Sequence, residues 1–258
     1  PDFVGLKNPV EINFLTGEKS PALAVQMVKS NDANKSAALF SLICTLGNRS
    51  TIIFCNQREI VEQVSNFLKD KSIVNVFYHG AMEQQERDVA LCKFRNGSSN
   101  VLVTTDLAAR GLDIPNIRYI VHFQLPTSQE SFIHRNGRTA RMEASGTAIL
   151  LLAPQETVPG YIDPEPIEIE LNADAGLPAK PDWSTFYISV GKKDKVNKID
   201  IVGFLTNKGR LKKEEIGLIE VKDFFSFVAI RKSKAGPTLQ LIKEERIKNK
   251  KVKIEVAK

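Results

Sequence analysis

The chain has 258 residues, 42% hydrophobic and 26% charged, with a formal net charge of +6. That length favours two domains, and that composition gives an ordinary globular chain enough apolar material for its cores. No apolar run approaches ~18 residues, which excludes a membrane-spanning helix, and the opening PDFVGLKNPVEINFL has neither a Met nor a secretory-leader pattern, so it reads as part of a longer chain.

The charge divides the chain into three units. Residues 1–153 carry 16 Lys and Arg against 14 Asp and Glu, residues 154–182 one against seven, and residues 183–258 nineteen against nine. A near-neutral domain, an acidic linker and a basic tail domain are therefore expected. The middle unit holds six prolines, which disfavour helix and extend the chain. Within it only IEIEL alternates like a strand.

In chain order, the first unit reads as a helix over 34–46, the strand STIIFC, and the helix QREIVEQVSNFLKD with Ile60, Val64 and Phe67 near helical spacing. The strand IVNVFYH, the helix MEQQERDVALCKFRNG closed by Asn96 and Gly97, and the strand NVLVTT follow. IRYIVHF, a helix over 128–136 and GTAILLLA complete the unit. Short apolar strands separated by helices of about 10–15 residues imply βαβ units, an α/β fold with a parallel sheet covered on both faces. Ligands of such sheets bind at the carboxyl ends of the strands. Cys44, Cys55 and Cys92 lie in apolar surroundings without metal-ligand spacing, and read as buried thiols of a reducing, cytoplasmic compartment.

Two polar segments stand out. DLAARGLDIP follows the strand NVLVTT; Gly111 permits close backbone approach, Asp113 suits a sugar hydroxyl and Thr105 a phosphate, although the same residues also make an ordinary strand-to-helix turn. SFIHRNGRTAR crowds Arg135, Arg138 and Arg141 around His134. Such a cluster is either a solvated helix face or the partner of a strongly anionic ligand. The three histidines, His79, His122 and His134, share no metal spacing.

Taken in order, IIFCN, HGAMEQQERD, TTDLAARGLDIP and HRNGRTAR resemble motifs IV, IVa, V and VI of the second RecA-like domain of DEAD-box RNA helicases, over roughly residues 1–153. The resemblance implies that Arg138 and Arg141 face the γ-phosphate of ATP held by the partner domain. There cationic fingers stabilise the charge of phosphoryl transfer. It places Asp113 on the ATP ribose, Gly111 in the same motif, Arg110 at the coupling of the two domains, and His134 and Arg135 in the interdomain network. Arg87 and Thr105 match positions that grip the RNA backbone, and Gln57 stands where the family often carries Thr or Ser for the same purpose. Neither GxxxxGK[ST] nor DEAD occurs. The phosphate cradle and the Mg²⁺ carboxylates are accordingly expected on a first RecA-like domain before Pro1, and this chain alone is expected not to hydrolyse ATP.

The tail unit reads as strand TFYISV, helix KIDIVGFLTNKG, strands EIGLIEV and FFSFVAI, helix AGPTLQLIKEE with Pro237 near its first turn, and strand KVKIEV. β-α-β-β-α-β is the ferredoxin-like order of RNA-recognition modules. Strand alternation sends Phe225 and Phe227 to one face and Phe224, Ser226 and Val228 to the other. One face is core; Tyr187 and Phe227 on the other either stack on bases or pack. The lysines of GKKDKVNK (Lys192, Lys193, Lys195) and ERIKNKKVK (Lys250, Lys251) are solubilising or hold phosphates, and an excess of ten cations in one small domain favours phosphate.

YISVGKKDKVNKIDIVGFLTNKG with SFVAIRK is similar to the C-terminal RNA-binding domain of DbpA-type DEAD-box proteins over about 183–258. That implies structured large-subunit ribosomal RNA as partner and a role in ribosome assembly. The family's helix after the last helicase strand is replaced here by the Pro-rich acidic stretch. The expected protein is a monomeric ATP-dependent RNA helicase. A non-catalytic RNA-binding scaffold or annealing factor and a DNA helicase or remodeller are the alternatives.

Overall fold

The computed structural model describes residues 23–109, 114, 117–138, 146–172 and 174–257. Its first part is built on seven parallel strands: β1 (Ala24–Lys29), β2 (Thr51–Cys55), β3 (Asn75–Tyr78), β4 (Val101–Thr105), β5 (Tyr119–His122), β6 (Thr147–Leu152) and β7 (Ile167–Glu168). Their order across the sheet is β3-β4-β2-β5-β6-β1-β7. Helices α1 (Ser36–Leu46), α2 (Arg58–Asp70), α3 (Gln84–Arg95), α4 (Asp106–Ala109) and α5 (Gln129–Asn136) fill the crossovers. Every residue of β2 and of β6 is buried, as their continuous apolar runs require of strands covered on both faces. Pleating splits β2 between two cores. Ile53 and Cys55 meet α1 and α2 through Leu42, Val61, Val64 and Leu68, whereas Ile52 and Phe54 meet Leu91 and Phe94 of α3. On α2 the buried stripe is Val61, Val64 and Leu68, with Ile60 and Phe67 at its margin. All three cysteines are buried and free, and burial pushes the Cys55 and Cys92 thiols up to about 12, which leaves them protonated and unreactive.

The acidic connector is not a free linker. β7, taken from IEIEL, extends the sheet beside β1, the Ile169 N–H donates to the Met27 carbonyl at 2.9 Å, and Ile169 and Leu171 pack on the main core. Tyr161 donates to the Pro126 carbonyl at 2.6 Å while Ile162 is buried with Met27, Leu150 and Leu152. Its acids have local partners too: Glu168 pairs with Lys29 at 2.6 Å and Glu156 with the buried Lys35 at 2.7 Å. Buried Lys35 needs that partner, since burying an unpaired charge is costly.

A second, antiparallel sheet has the order β13-β8-β10-β9, from β8 (Trp183–Ile188), β9 (Ile216–Val221), β10 (Ser226–Arg231) and β13 (Ile254–Val256). Helices α6 (Lys198–Asn207) and α7 (Lys232–Ile242) cover one face, and the hairpin β11 (Arg246–Ile247) and β12 (Lys250–Lys251) precedes the last strand. A capping box starts α6: the Asn197 side chain accepts from the Asp200 N–H at 3.0 Å, and the Asp200 carboxylate from the Asn197 N–H at 2.8 Å. The seventh helix begins at Lys232, directly after β10 and earlier than the sequence implied, so Pro237 falls inside it rather than in its first turn.

The open face of this sheet is covered by α3. Phe227 and Ala257 are buried with Cys92, and Val89, Tyr187 and Phe225 pack around them. Asn96 Nδ2 donates to Thr185 Oγ1 at 2.8 Å, whose hydroxyl donates to Ser98 Oγ at 2.9 Å. Lys222–Asp88 and Arg95–Glu220 ion pairs, each at 3.5 Å, flank the apolar contact.

Candidate functional site

The carboxyl ends of β2, β4 and β5 lie side by side, and α5 packs across them through one buried cation. Arg135, 1% exposed at its side chain, forks onto Asp106: Nε donates to Oδ1 at 2.5 Å and Nη2 to Oδ2 at 2.8 Å. Nη2 also donates to Asn56 Oδ1 at 2.7 Å, and Nη1 to the Gln124 carbonyl at 2.7 Å, with His122 Nδ1 at 3.4 Å. The guanidinium lies 5.2 Å from the centre of the Phe54 ring. Asn56 closes the network, its N–H donating to Gln124 Oε1 at 2.8 Å and its Nδ2 to the Leu125 carbonyl at 3.1 Å. A planar, always-charged fork is the one side chain that serves so many acceptors at once. Arg135 is thus a partner within its own domain, which corrects its expected interdomain place. His134, in contrast, is exposed and stands 3.9 Å from Glu130 on the same helix.

His122 is buried between the rings of Phe54 and Phe132. Arg135 only donates, so Nδ1 accepts, and the proton sits on Nε2 facing Asn136 Oδ1 at 3.1 Å. Burial first, and then the Arg135 charge, lower its pKa to about 3. In the unfolded chain the same imidazole titrates near its ordinary 6.5. Between those values the unfolded state binds the extra proton, so this group's contribution is complete above about 6.5 and is lost as pH falls toward 3. Unfolding free energies from urea titrations between pH 7 and pH 5 should fall for the wild type by up to ~1.4 kcal/mol per pH unit more steeply than for His122→Gln. Parallel profiles would contradict the assignment.

The sequence-predicted residues fall into three groups. Arg138, one turn beyond Arg135, is half-buried, and its N–H donates to the Arg135 carbonyl at 3.2 Å. Arg110, Gly111, Asp113 and Arg141 lie outside the described residues. Gln57 is exposed at the start of α2, Thr105 ends β4 opposite Cys55, and Arg87 stands in the first turn of α3. These three follow adjacent strands and share the sheet end that carries Arg135. Arg87 Nε is buried without a hydrogen-bond partner. Among the described residues no three His, Cys, Asp or Glu side chains group as metal ligands, and no helix is long and apolar enough to cross a membrane.

In the tail domain the two lysine clusters come together. The turn Lys192–Asp194 and the β11–β12 hairpin are joined by Lys250–Asp194 at 2.5 Å, by Lys248 donating to the Lys195 carbonyl at 2.7 Å, and by Lys248–Asp200 at 2.8 Å. Lys192, Lys193, Lys195, Lys250 and Lys251 are all exposed on this ridge. The aromatic assignment needs correcting. Phe227 has no exposed surface, and Tyr187 packs on Phe225 and Phe227 at 5.6 and 6.0 Å, because α3 occupies the face on which bases were expected. Asn56, Asp106 and Gln124 were missed as a set. The charge on Asp106 was visible in the sequence, but nothing there marks Gln124.

A parallel sheet whose strand ends carry an arginine-bearing helix, followed by a small antiparallel α+β unit, defines a RecA-like domain joined to an RNA-recognition-type module. Comparison with known proteins agrees. Residues 34–143 match the helicase conserved C-terminal domain, and residues 185–256 the DbpA RNA-binding domain. Over 98% of its length the chain is 32% identical to the ATP-dependent RNA helicase DbpA of Escherichia coli K12, covering 56% of that protein. It is 30% identical to DbpA of Bacillus subtilis 168, again over 98% of this chain and 59% of that one. The solved structure of the E. coli DEAD-box protein SrmB, bound to regulator of ribonuclease activity A, matches with a TM-score of 0.54 and 33% identity, over 61% of this chain and 98% of SrmB's. The chain belongs to the DbpA-type DEAD-box RNA helicases and carries their helicase C-terminal domain and RNA-binding domain. It spans a little over half the length of these curated relatives.

Proposed function

We propose that the protein couples ATP hydrolysis to RNA unwinding, with this chain supplying the arginine fingers, half of the RNA track and the anchor. The observation that carries this reading is the Arg135 network. It ties the ends of β2, β4 and β5 to α5 and so fixes the backbone that carries Arg138, the first of the two proposed fingers Arg138 and Arg141. Held across a cleft from bound ATP, their guanidinium groups spread charge over the oxygens of the transferring phosphate. Asp113 takes the ribose, with Gly111 letting the backbone come close and Arg110 coupling the two domains. Mg²⁺ neutralises phosphate charge in such reactions.

Arg87, Thr105 and Gln57 line one edge and hold RNA phosphates, contacts that position a strand without reading it. The buried Arg87 Nε, which has no hydrogen-bond partner among the described residues, supports that assignment. Lys192, Lys193, Lys195, Lys250 and Lys251 anchor the motor on structured ribosomal RNA, so that sequence-blind contacts act on neighbouring duplexes in a cytoplasmic, monomeric enzyme. A strand-separation assay with the full-length protein tests this. RNA duplexes beside a ribosomal RNA element should separate only with ATP, and DNA duplexes of the same sequence should not. Annealing without ATP would favour a scaffold, and equal action on DNA a DNA remodeller.

A further inference from the structure

Phe224 is 69% exposed and is the sole exposed aromatic side chain among the described residues. It sits in the turn between β9 and β10, closed by the Lys222 N–H donating to the Phe225 carbonyl at 2.8 Å. Single exposed aliphatic side chains need no explanation, but this ring has specific neighbours. The turn after β8 crosses directly beneath it: the Lys192 N–H donates to the Lys222 carbonyl and the Lys193 N–H to the Asp223 carbonyl, each at 2.8 Å. The crossing is so close that a Cβ on Gly191 would lie 2.3 Å from the Lys222 oxygen. The backbones of two exposed lysines, whose ammonium groups have no ion-pair partner among the described residues, are therefore fixed against the turn that carries the exposed ring. Nearby Asp194 is occupied by Lys250, and Lys222 by Asp88 and Glu220, which leaves Asp223 as the one exposed carboxylate of the turn.

An exposed apolar ring on a turn braced by the backbones of two exposed lysines suits a ligand with a π face and phosphates beside it. We infer that Phe224 is a stacking platform for one unpaired RNA base, with Lys192 and Lys193 on the flanking phosphates. The tail domain thus meets RNA at this ridge and not on its sheet face, which α3 covers. The inference rests on the RNA reading above and specifies where an unpaired nucleotide is held. Base–aromatic stacking lost on truncation to alanine weakens binding severalfold to over a hundredfold, and phosphate contacts set the salt slope.

The test is a titration of the chain with a hairpin RNA bearing an unpaired loop and with a fully paired RNA of equal length, at several salt concentrations. Phe224→Ala should lose about 10-fold or more on the looped RNA, little on the paired one, and keep the salt slope. Phe224→Trp should retain affinity and show fluorescence quenching on binding, measured against the Trp183 background. Replacing Lys192 and Lys193 by alanine should instead flatten the slope by about 0.7–0.9 per contact. Because residue 224 is exposed in a turn, melting temperatures should not move. Unchanged affinity of Phe224→Ala, or an equal loss on both RNAs, would overturn this inference alone. Failure of the unaltered chain to bind either RNA would overturn the RNA reading together with it.

Discussion

Replacing Arg138 or Arg141 with alanine in the full-length protein should lower ATP turnover about 10³-fold or more, the scale of an arginine finger. The effect follows from where the charge is needed. In the turn after α5 the Arg138 N–H donates to the Arg135 carbonyl at 3.2 Å, a backbone bond that alanine keeps. Its truncation should therefore leave folding and RNA binding by the tail lysines nearly intact. Lysine at either position should rescue poorly, because a point charge lacks the fork that spans two oxygens. Single-turnover hydrolysis on saturating RNA measures this, and near-normal rates in both alanine variants would make the cluster a solvated helix face.

Arg135 should behave in the opposite way, as a residue of the fold. Arg135→Ala leaves the Asp106 carboxylate, the Asn56 and Gln124 oxygens and His122 Nδ1 without their donor at once. Breaking a buried pair by removing one partner costs about 3–5 kcal/mol. Asp106 keeps 29% of its side-chain surface, so solvent returns part of that, and a loss of about 3 kcal/mol is expected. Urea unfolding of Arg135→Ala, Asp106→Ala and the double variant at pH 7 should show strong coupling, the double costing much less than the sum. Additive losses would mean that the two residues act separately.

How much of this was legible depends on the range of the interaction. Continuous apolar runs gave β2, β4 and β6 directly, and the alternation of strands with helices gave the parallel sheet. AVQMVK, which became β1, has neither a clean run nor strict alternation, and becomes a strand only because β6 and β7 pair with it. The β11–β12 hairpin hides in a lysine-rich stretch for the same reason. Alternation in β10 correctly separated Phe225 and Phe227 from Ser226 and Val228 but carries no statement of what covers each face. That information lay on α3, whose Ala90, Leu91 and Phe94 are buried in the first domain while Val89 and Cys92 reach the tail sheet. The apolar run Val89–Cys92 puts side chains on two sides of α3, and each side has its own partner. Among the arginines of the 131–141 stretch, spacing does not say which turns inward; Arg135 does so because the ends of β2, β4 and β5 converge on it.

Direct binding of RNA to the chain tests the central claim, that a sequence-blind helicase domain is carried by a tail that selects its RNA. Structured large-subunit ribosomal RNA and random RNA of equal length should be titrated side by side while salt is raised. Each phosphate neutralised contributes about −0.7 to −0.9 to the slope of log affinity against log salt for either RNA, so charge alone gives steepness without preference. The account predicts a preference for the structured RNA that persists as salt rises, while replacing the exposed lysines of the tail ridge flattens the salt slope. Equal affinities, or a preference that vanishes at moderate salt, would contradict it.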